Sequence, residues 1–146
     1  MNTDAYNYAT ALCSRKEYCA SEITDKLLRR GFTLDEAAAT IEQLEAERYI
    51  NAERYARAFV SDKFRFSHWG RIKIKYALRM KGIDETFIEK ALDEAIDATE
   101  YEQVRQAFIA DRMAKTKGRT PYEIRQKVMR AALARGFEVS DCVHSS

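Results

Sequence analysis

The chain has 146 residues, 46% of them hydrophobic, with a formal net charge of +2. That is apolar material for one compact unit or a short array of small ones, and no apolar run reaches the roughly eighteen residues of a membrane-spanning helix. One proline and five glycines leave few chain breakers, so the composition favours helices and excludes a turn-rich β architecture.

In chain order, helices are expected over residues 4–14, 20–30 and 34–47, then 52–66, 71–81 and 85–98, then 101–115 and 121–135. Ile23, Leu27, Gly31 and Phe32 close the second helix, and the same phrase returns as Ile74, Leu78, Gly82 and Ile83. A third version is Val128, Ala132, Gly136 and Phe137, with a basic residue (Arg30, Lys81, Arg135) before each glycine. Glycine takes the left-handed cap without steric cost, and the cation complements the carboxyl end of the helix dipole. The apolar residue after it packs back on the helix, more weakly where the partner is Ala132. Thr33 with Glu36 reads as a capping box, Asn51 and Asp84 as N-caps, and Thr120-Pro121-Tyr122-Glu123 as a helix start.

Three such caps at near-constant spacing imply an internal repeat. The expected fold is all-α, in tandem three-helix units over 1–50, 51–98 and 99–146, the last with a short or missing final helix. Ala37 matches Ile88 and Ile41 matches Leu92 in the third helices. Units this small stack end to end and draw stability from their interfaces.

Charge is sorted by segment. Residues 59–82 carry Lys63, Arg65, Arg71, Lys73, Lys75, Arg79 and Lys81 against Asp62 alone, whereas 84–102 are acidic except for Lys90. Residues 112–136 are basic again, with Glu123 as their one acid. Such sorting builds a polyanion-binding face on a nearly neutral chain, or lets each basic helix neutralise the acidic helix after it.

The residues for catalysis are missing. His68 and His144 are the two histidines, and no metal, nucleophile or phosphate-loop motif occurs. No catalytic residue, metal or cofactor is expected. Cys13, Cys19 and Cys142 are odd in number and lack paired spacing, and Cys13 and Cys19 read as half-buried helix residues. Unpaired thiols suit a reducing cytoplasm. The opening residues carry Asp4 and no basic cluster, unlike a secretory signal.

The helix from Arg71 to Lys81 is the most informative stretch. Ile74, Ala77 and Leu78 fall on one face, toward the core, and Arg71, Lys75 and Arg79 form a stripe beside it. Lys73, Tyr76 and Met80 occupy the remaining faces. Arg125, Lys127 and Arg130 stand on the corresponding helix of the third unit. The candidate binding residues are therefore Arg71, Lys73, Lys75, Arg79, Lys81, Arg125, Lys127 and Arg130, lining one groove from two units. Trp69 and Phe66, which bracket the preceding turn, read as core or staple residues and not as base-stacking platforms.

These residues resemble a known family. Leu12-Cys13-Ser14-Arg15-Lys16-Glu17-Tyr18 with Glu22-Ile23 and Lys26-Leu27 is similar to the opening repeat of RecX proteins, bacterial modulators of the RecA recombinase. Leu44, Tyr49-Ile50-Asn51 and Arg54-Tyr55-Ala56 resemble the family's linking segment, and Gly70-Arg71, Ile74, Leu78 and Lys81-Gly82-Ile83 its second repeat. Cys19 stands where the family usually has a capping serine, and Ala52 where an acid is usual. The resemblance implies an elongated, curved array of tandem three-helix units that lies in the groove of a RecA–single-stranded DNA filament and inhibits strand exchange and ATP hydrolysis; a cytoplasmic monomer is expected. Single-stranded DNA would be bound weakly or through the filament, with no membrane partner. The alternative is a free-standing, sequence-nonspecific nucleic-acid binder or a helix-turn-helix protein, though no single recognition helix stands out.

Overall fold

The computed structural model describes residues 2–138. Cys142, His144 and the end of the third unit lie outside them. The described residues form eight helices and no strand: α1 (Thr3–Cys13), α2 (Ala20–Arg29), α3 (Leu34–Ala46), α4 (Ala52–Arg65), α5 (Arg71–Met80), α6 (Glu85–Ala95), α7 (Ala98–Lys115) and α8 (Pro121–Arg135).

The helix ends follow their local chemistry. Gly31, Gly82 and Gly136 take φ of 95°, 81° and 100°. After each, the same pair of bonds closes the helix. The glycine N–H donates three residues back (to Leu28, Arg79 and Leu133), and the next N–H donates five back (to Leu27, Leu78 and Ala132). Arg48, at φ 63°, repeats the pattern after α3 with no glycine, its N–H on the Glu45 carbonyl and that of Tyr49 on Leu44. Thr33 and Glu36 form the reciprocal box, and Asn51, Asp84 and Thr120 accept from Arg54, Thr86 and Glu123 N–H groups. Helix α6 stops at Ala95, short of residue 98, because Asp97 caps a new helix by accepting from Glu100 N–H. That cap also starts α7 at Ala98 instead of Tyr101.

α1 and α2 pack on α3, α4 and α5 on α6, and α7 on α8. The first group has its own core around Ala9, Ile23, Leu27, Ala37 and Leu44. The other two groups share one: Val60, Phe64, Ile74, Leu78 and Ile88 are continuous with Tyr101, Ala132 and Phe137. Full burial of each large aliphatic side chain here contributes about 1.5–3 kcal/mol. Phe137 has no exposed surface and packs against the rings of Tyr101 and Phe108, 5.7 and 5.6 Å away, so its main partners come from α7.

Two expectations for single residues are corrected. Phe66 is 81% exposed, because it sits at the C-cap of α4 where the chain turns outward. Cys19 is not a half-buried helix residue. It is the buried N-cap of α2, where the Glu22 carboxylate accepts from its N–H at 3.0 Å, and it joins the core of the second group. Cys13 ends α1 half-buried.

Candidate functional site

Helix α5 begins at Gly70 without a side-chain cap. Its free N–H groups are satisfied by the end of α8 instead. Gly70 N–H donates to the Arg135 carbonyl at 2.9 Å and Ile72 N–H to the Gly136 carbonyl at 3.0 Å. Arg71 N–H donates to the Tyr101 hydroxyl at 3.1 Å, and that hydroxyl donates to Glu138 at 2.6 Å. The positive end of one helix dipole thus meets the negative end of the other. Only glycines permit this approach: a methyl group on Gly70 would lie 2.3 Å from the Gly136 carbonyl carbon.

Docked this way, α5 buries Ile74 and Leu78 completely and leaves Ala77 half-buried. The opposite face is a ridge of Ile72, Tyr76 and Met80, one helical turn apart and 47%, 63% and 69% exposed. Three large apolar side chains in one exposed row are unusual on a surface with nothing to bind.

The cations beside that ridge are largely engaged within the chain. Arg79 makes two bonds to Glu85, at 2.8 and 3.0 Å. Lys75 reaches Glu85 at 3.2 Å and also pairs with Glu89. Bonds from Arg79 first, then Lys75, hold the Glu85 carboxyl down at about 2, far below its ordinary 4.5. Glu89 and Glu85 in turn push the Lys75 ammonium up. Arg71 lies over the Tyr101 ring at 3.9 Å with Glu138 at 3.5 Å, so it belongs to the α5–α8 junction. Lys73 lies 4.5 Å over the Trp69 ring, which is partly buried against the core. Lys81 pairs with Glu22 of α2 at 2.9 Å, while its carbonyl accepts from Ser21 at 2.7 Å. On α8, Lys127 pairs with Glu123 at 3.3 Å and donates to the Lys117 carbonyl at 2.9 Å. Among the described residues, Lys73, Arg125 and Arg130 make no ion pair. The acidic helix after α5 therefore neutralises Lys75 and Arg79, leaving a mixed face of apolar ridge and paired charge.

A second cationic site lies where sequence spacing gives no signal. An open cleft of about 610 Å³ runs between α7 and the turn from α4 to α5, and His68, Phe108, Asp111, Arg112, Lys115 and Arg135 are among the residues that line it. The Arg112 and Arg135 guanidinium groups stand 5.2 and 4.8 Å from the centre of the Phe108 ring. Arg135 also donates to the Ser67 carbonyl at 3.2 Å, and Lys115 pairs with Asp111 at 2.9 Å. His68 holds a left-handed conformation at φ 52°. Arg112 and Arg135 fall in the basic run of the sequence, but only the packing of α7 on α8 brings them to one ring. Among the described residues, no cluster of His, Cys, Asp or Glu is arranged to hold a metal, and no helix is long and apolar enough to cross a membrane.

Comparison with known proteins agrees with this architecture. The model of the first three-helix domain of RecX matches residues 5–44, and that of the second matches residues 51–92. Among relatives named Regulatory protein RecX, that of Caldanaerobacter subterraneus subsp. tengcongensis is 28% identical over 94% of this chain and 66% of its own length. That of Clostridium perfringens strain 13 is 35% identical, over 85% of this chain and 58% of its own. The chain thus spans 58–66% of the length of these relatives. Two crystal structures share the fold. One, of regulatory protein RecX, has a TM-score of 0.87 at 20% identity and covers 98% of this chain and 72% of that one. The other, of RecX from Lactobacillus salivarius, has a TM-score of 0.81 at 23% identity, over 98% and 94%. With both three-helix domain models matched in order and the fold shared throughout, the chain belongs to the RecX family.

Proposed function

We propose that this chain is a cytoplasmic, non-enzymatic regulator that binds RecA–single-stranded DNA filaments as a monomer of three helical units over 1–50, 51–98 and 99–146. Lying in the filament groove, it inhibits strand exchange and ATP hydrolysis and so damps recombination, DNA repair and the SOS response. The observation that carries this reading is the outer face of α5, where Ile72, Tyr76 and Met80 form an exposed apolar row beside Lys73, Lys75 and Arg79. An apolar row flanked by charge fits a protein surface better than a bare phosphate backbone. The regulatory name carried by the relatives supports the same class of role. Lys81, Arg125, Lys127 and Arg130 extend the contact toward the neighbouring units, and single-stranded DNA is met mainly through the filament.

The test is the rate of DNA-dependent ATP hydrolysis by RecA as this protein is added. A saturable fall, with loss of strand exchange, is expected. Unchanged rates at concentrations far above that of RecA remove the reading in favour of a free-standing nucleic-acid binder.

A further inference from the structure

We propose that the cleft between α7 and the α4–α5 turn binds a phosphate group, with Arg112 and Arg135 as its principal ligands. The inference does not depend on RecA, and it concerns residues outside the α5 face.

Four observations converge on it. Arg112 and Arg135 come from different helices, α7 and α8, yet both guanidinium groups stand within 5.2 Å of the Phe108 ring centre. Neither makes an ion pair among the described residues, whereas Lys115 beside them is engaged by Asp111. The cleft holds Arg112, Lys115 and Arg135 against one carboxylate, Asp111, which Lys115 engages, so the two guanidinium groups keep an excess of positive charge that an entering anion relieves. Arg135 is held in place by its bond to the Ser67 carbonyl, so one half of the site is already oriented before a ligand arrives.

The chemistry of the two ligands selects phosphate. A guanidinium presents planar, paired N–H donors that match the oxygens of a tetrahedral phosphate, and two of them supply donors from two directions. Phe108 forms an apolar floor that shields the contact on one side from water, which strengthens it. His68 and Lys115 also line the cleft, where they would meet a second phosphate of a polynucleotide. An open cleft favours a backbone phosphodiester over a free anion, which would be held better by an enclosed cavity.

Trp69, the chain's one tryptophan, follows His68 directly but lines a separate pocket with Phe59, Lys63 and Lys81, so a change in its emission counts for the cleft only when Arg112→Gln removes it. The full chain is titrated with a short oligothymidylate and, separately, with inorganic phosphate at constant ionic strength. Anisotropy of a labelled oligothymidylate gives the affinity and its salt dependence. Arg112→Gln keeps the helix and removes the charge. It is expected to weaken oligonucleotide binding about three- to tenfold and to reduce the log–log salt slope by roughly 0.7, the value of one single-strand phosphate contact. Arg29→Gln, a change of equal charge on α2 far from the cleft, is expected to leave both unchanged. A saturable change in Trp69 emission with oligothymidylate alone identifies a backbone phosphate as the ligand, and one with inorganic phosphate as well identifies the free anion. The proposal is overturned if neither probe gives a saturable change, if Arg112→Gln binds like the parent, or if Arg29→Gln loses as much slope as Arg112→Gln.

Discussion

Gly70 and Gly136 lie in backbone contact across the junction of α5 and α8. A methyl group on Gly70 would fall 2.3 Å from the Gly136 carbonyl, and one on Gly136 would fall 2.4 Å from the Lys73 Cβ. The Gly70 backbone itself, at φ −77° and ψ 170°, is open to any residue. The whole cost of Gly70→Ala is therefore the collision, which forces α5 away from the helix end that satisfies its N–H groups. A loss of about 2–3 kcal/mol is expected, as for severe overpacking. At Gly31 and Gly82, by contrast, nothing lies within 4 Å of an added methyl group, and only the positive φ resists it. Gly31→Ala and Gly82→Ala should cost about 1 kcal/mol each. Urea unfolding of the three variants checks the ranking, and a Gly70→Ala protein as stable as Gly82→Ala contradicts the close junction.

This contrast marks what could be read from the residues and what needed the fold. The three glycine caps, the Thr33–Glu36 box and the buried pair Ile74–Leu78 depend on neighbours within a helical turn, and they stand where local chemistry puts them. The left-handed cap at Arg48 carries no glycine to announce it. Nothing near Gly70 in the sequence announces its close contact, because its partner Gly136 lies far along the chain. The same holds for Arg112 and Arg135, brought to one ring only when α7 packs on α8. Phe66 is exposed for a different reason. Hydrophobicity says a residue prefers burial, but at a C-cap the backbone direction decides.

Stability should fall with acid along a predictable course. The folded Glu85 carboxyl titrates at about 2 instead of 4.5, since Arg79 and Lys75 favour its charged form. A depressed folded value stabilises the protein above the ordinary value and loses that contribution as pH falls from about 4.5 toward 2. Glu22 acts in the same direction: burial pushes it up, but the Cys19 N–H and the Lys81 ammonium together outweigh burial. The denaturant midpoint, followed from neutrality to about pH 2, should therefore drop more steeply for the parent than for Glu85→Gln. Superimposable profiles would show that the Arg79–Glu85 pair contributes nothing to the folded state.

The ridge on α5 makes a sharper demand. Ile72, Tyr76 and Met80 are exposed, so Tyr76→Ser with Met80→Ser should leave stability within about 0.5 kcal/mol of the parent. If the ridge seats against a RecA filament, the same pair of changes should weaken inhibition of its ATPase tenfold or more, because aromatic anchors dominate such contacts. A folded variant that inhibits at parental concentrations removes the ridge from the interface.

Charge at the same surface must be tested differently, because the cations are tied to the fold. Arg71 holds the Tyr101–Glu138 junction, so reversing it confounds binding with unfolding. Lys75 and Arg79 face Glu85 and Glu89, and replacing both cations with glutamate sets four carboxylates side by side. That variant should melt lower than the parent at low salt, a loss that added salt reduces. Exchanging both sides, with Lys75→Glu, Arg79→Glu, Glu85→Lys and Glu89→Lys, restores the pairs and should recover the melting temperature. The exchanged protein is then folded and equal in net charge, but with its local pattern of signs inverted. If the filament reads the cations where they stand, its inhibition should fall about tenfold even though stability has returned. Arg125→Glu with Arg130→Glu, which breaks no ion pair among the described residues, should weaken inhibition without lowering the melting temperature. Should the exchanged protein and the α8 variant both inhibit like the parent, the basic helices serve only their own acidic neighbours, and the binding face must be sought in the apolar ridge alone.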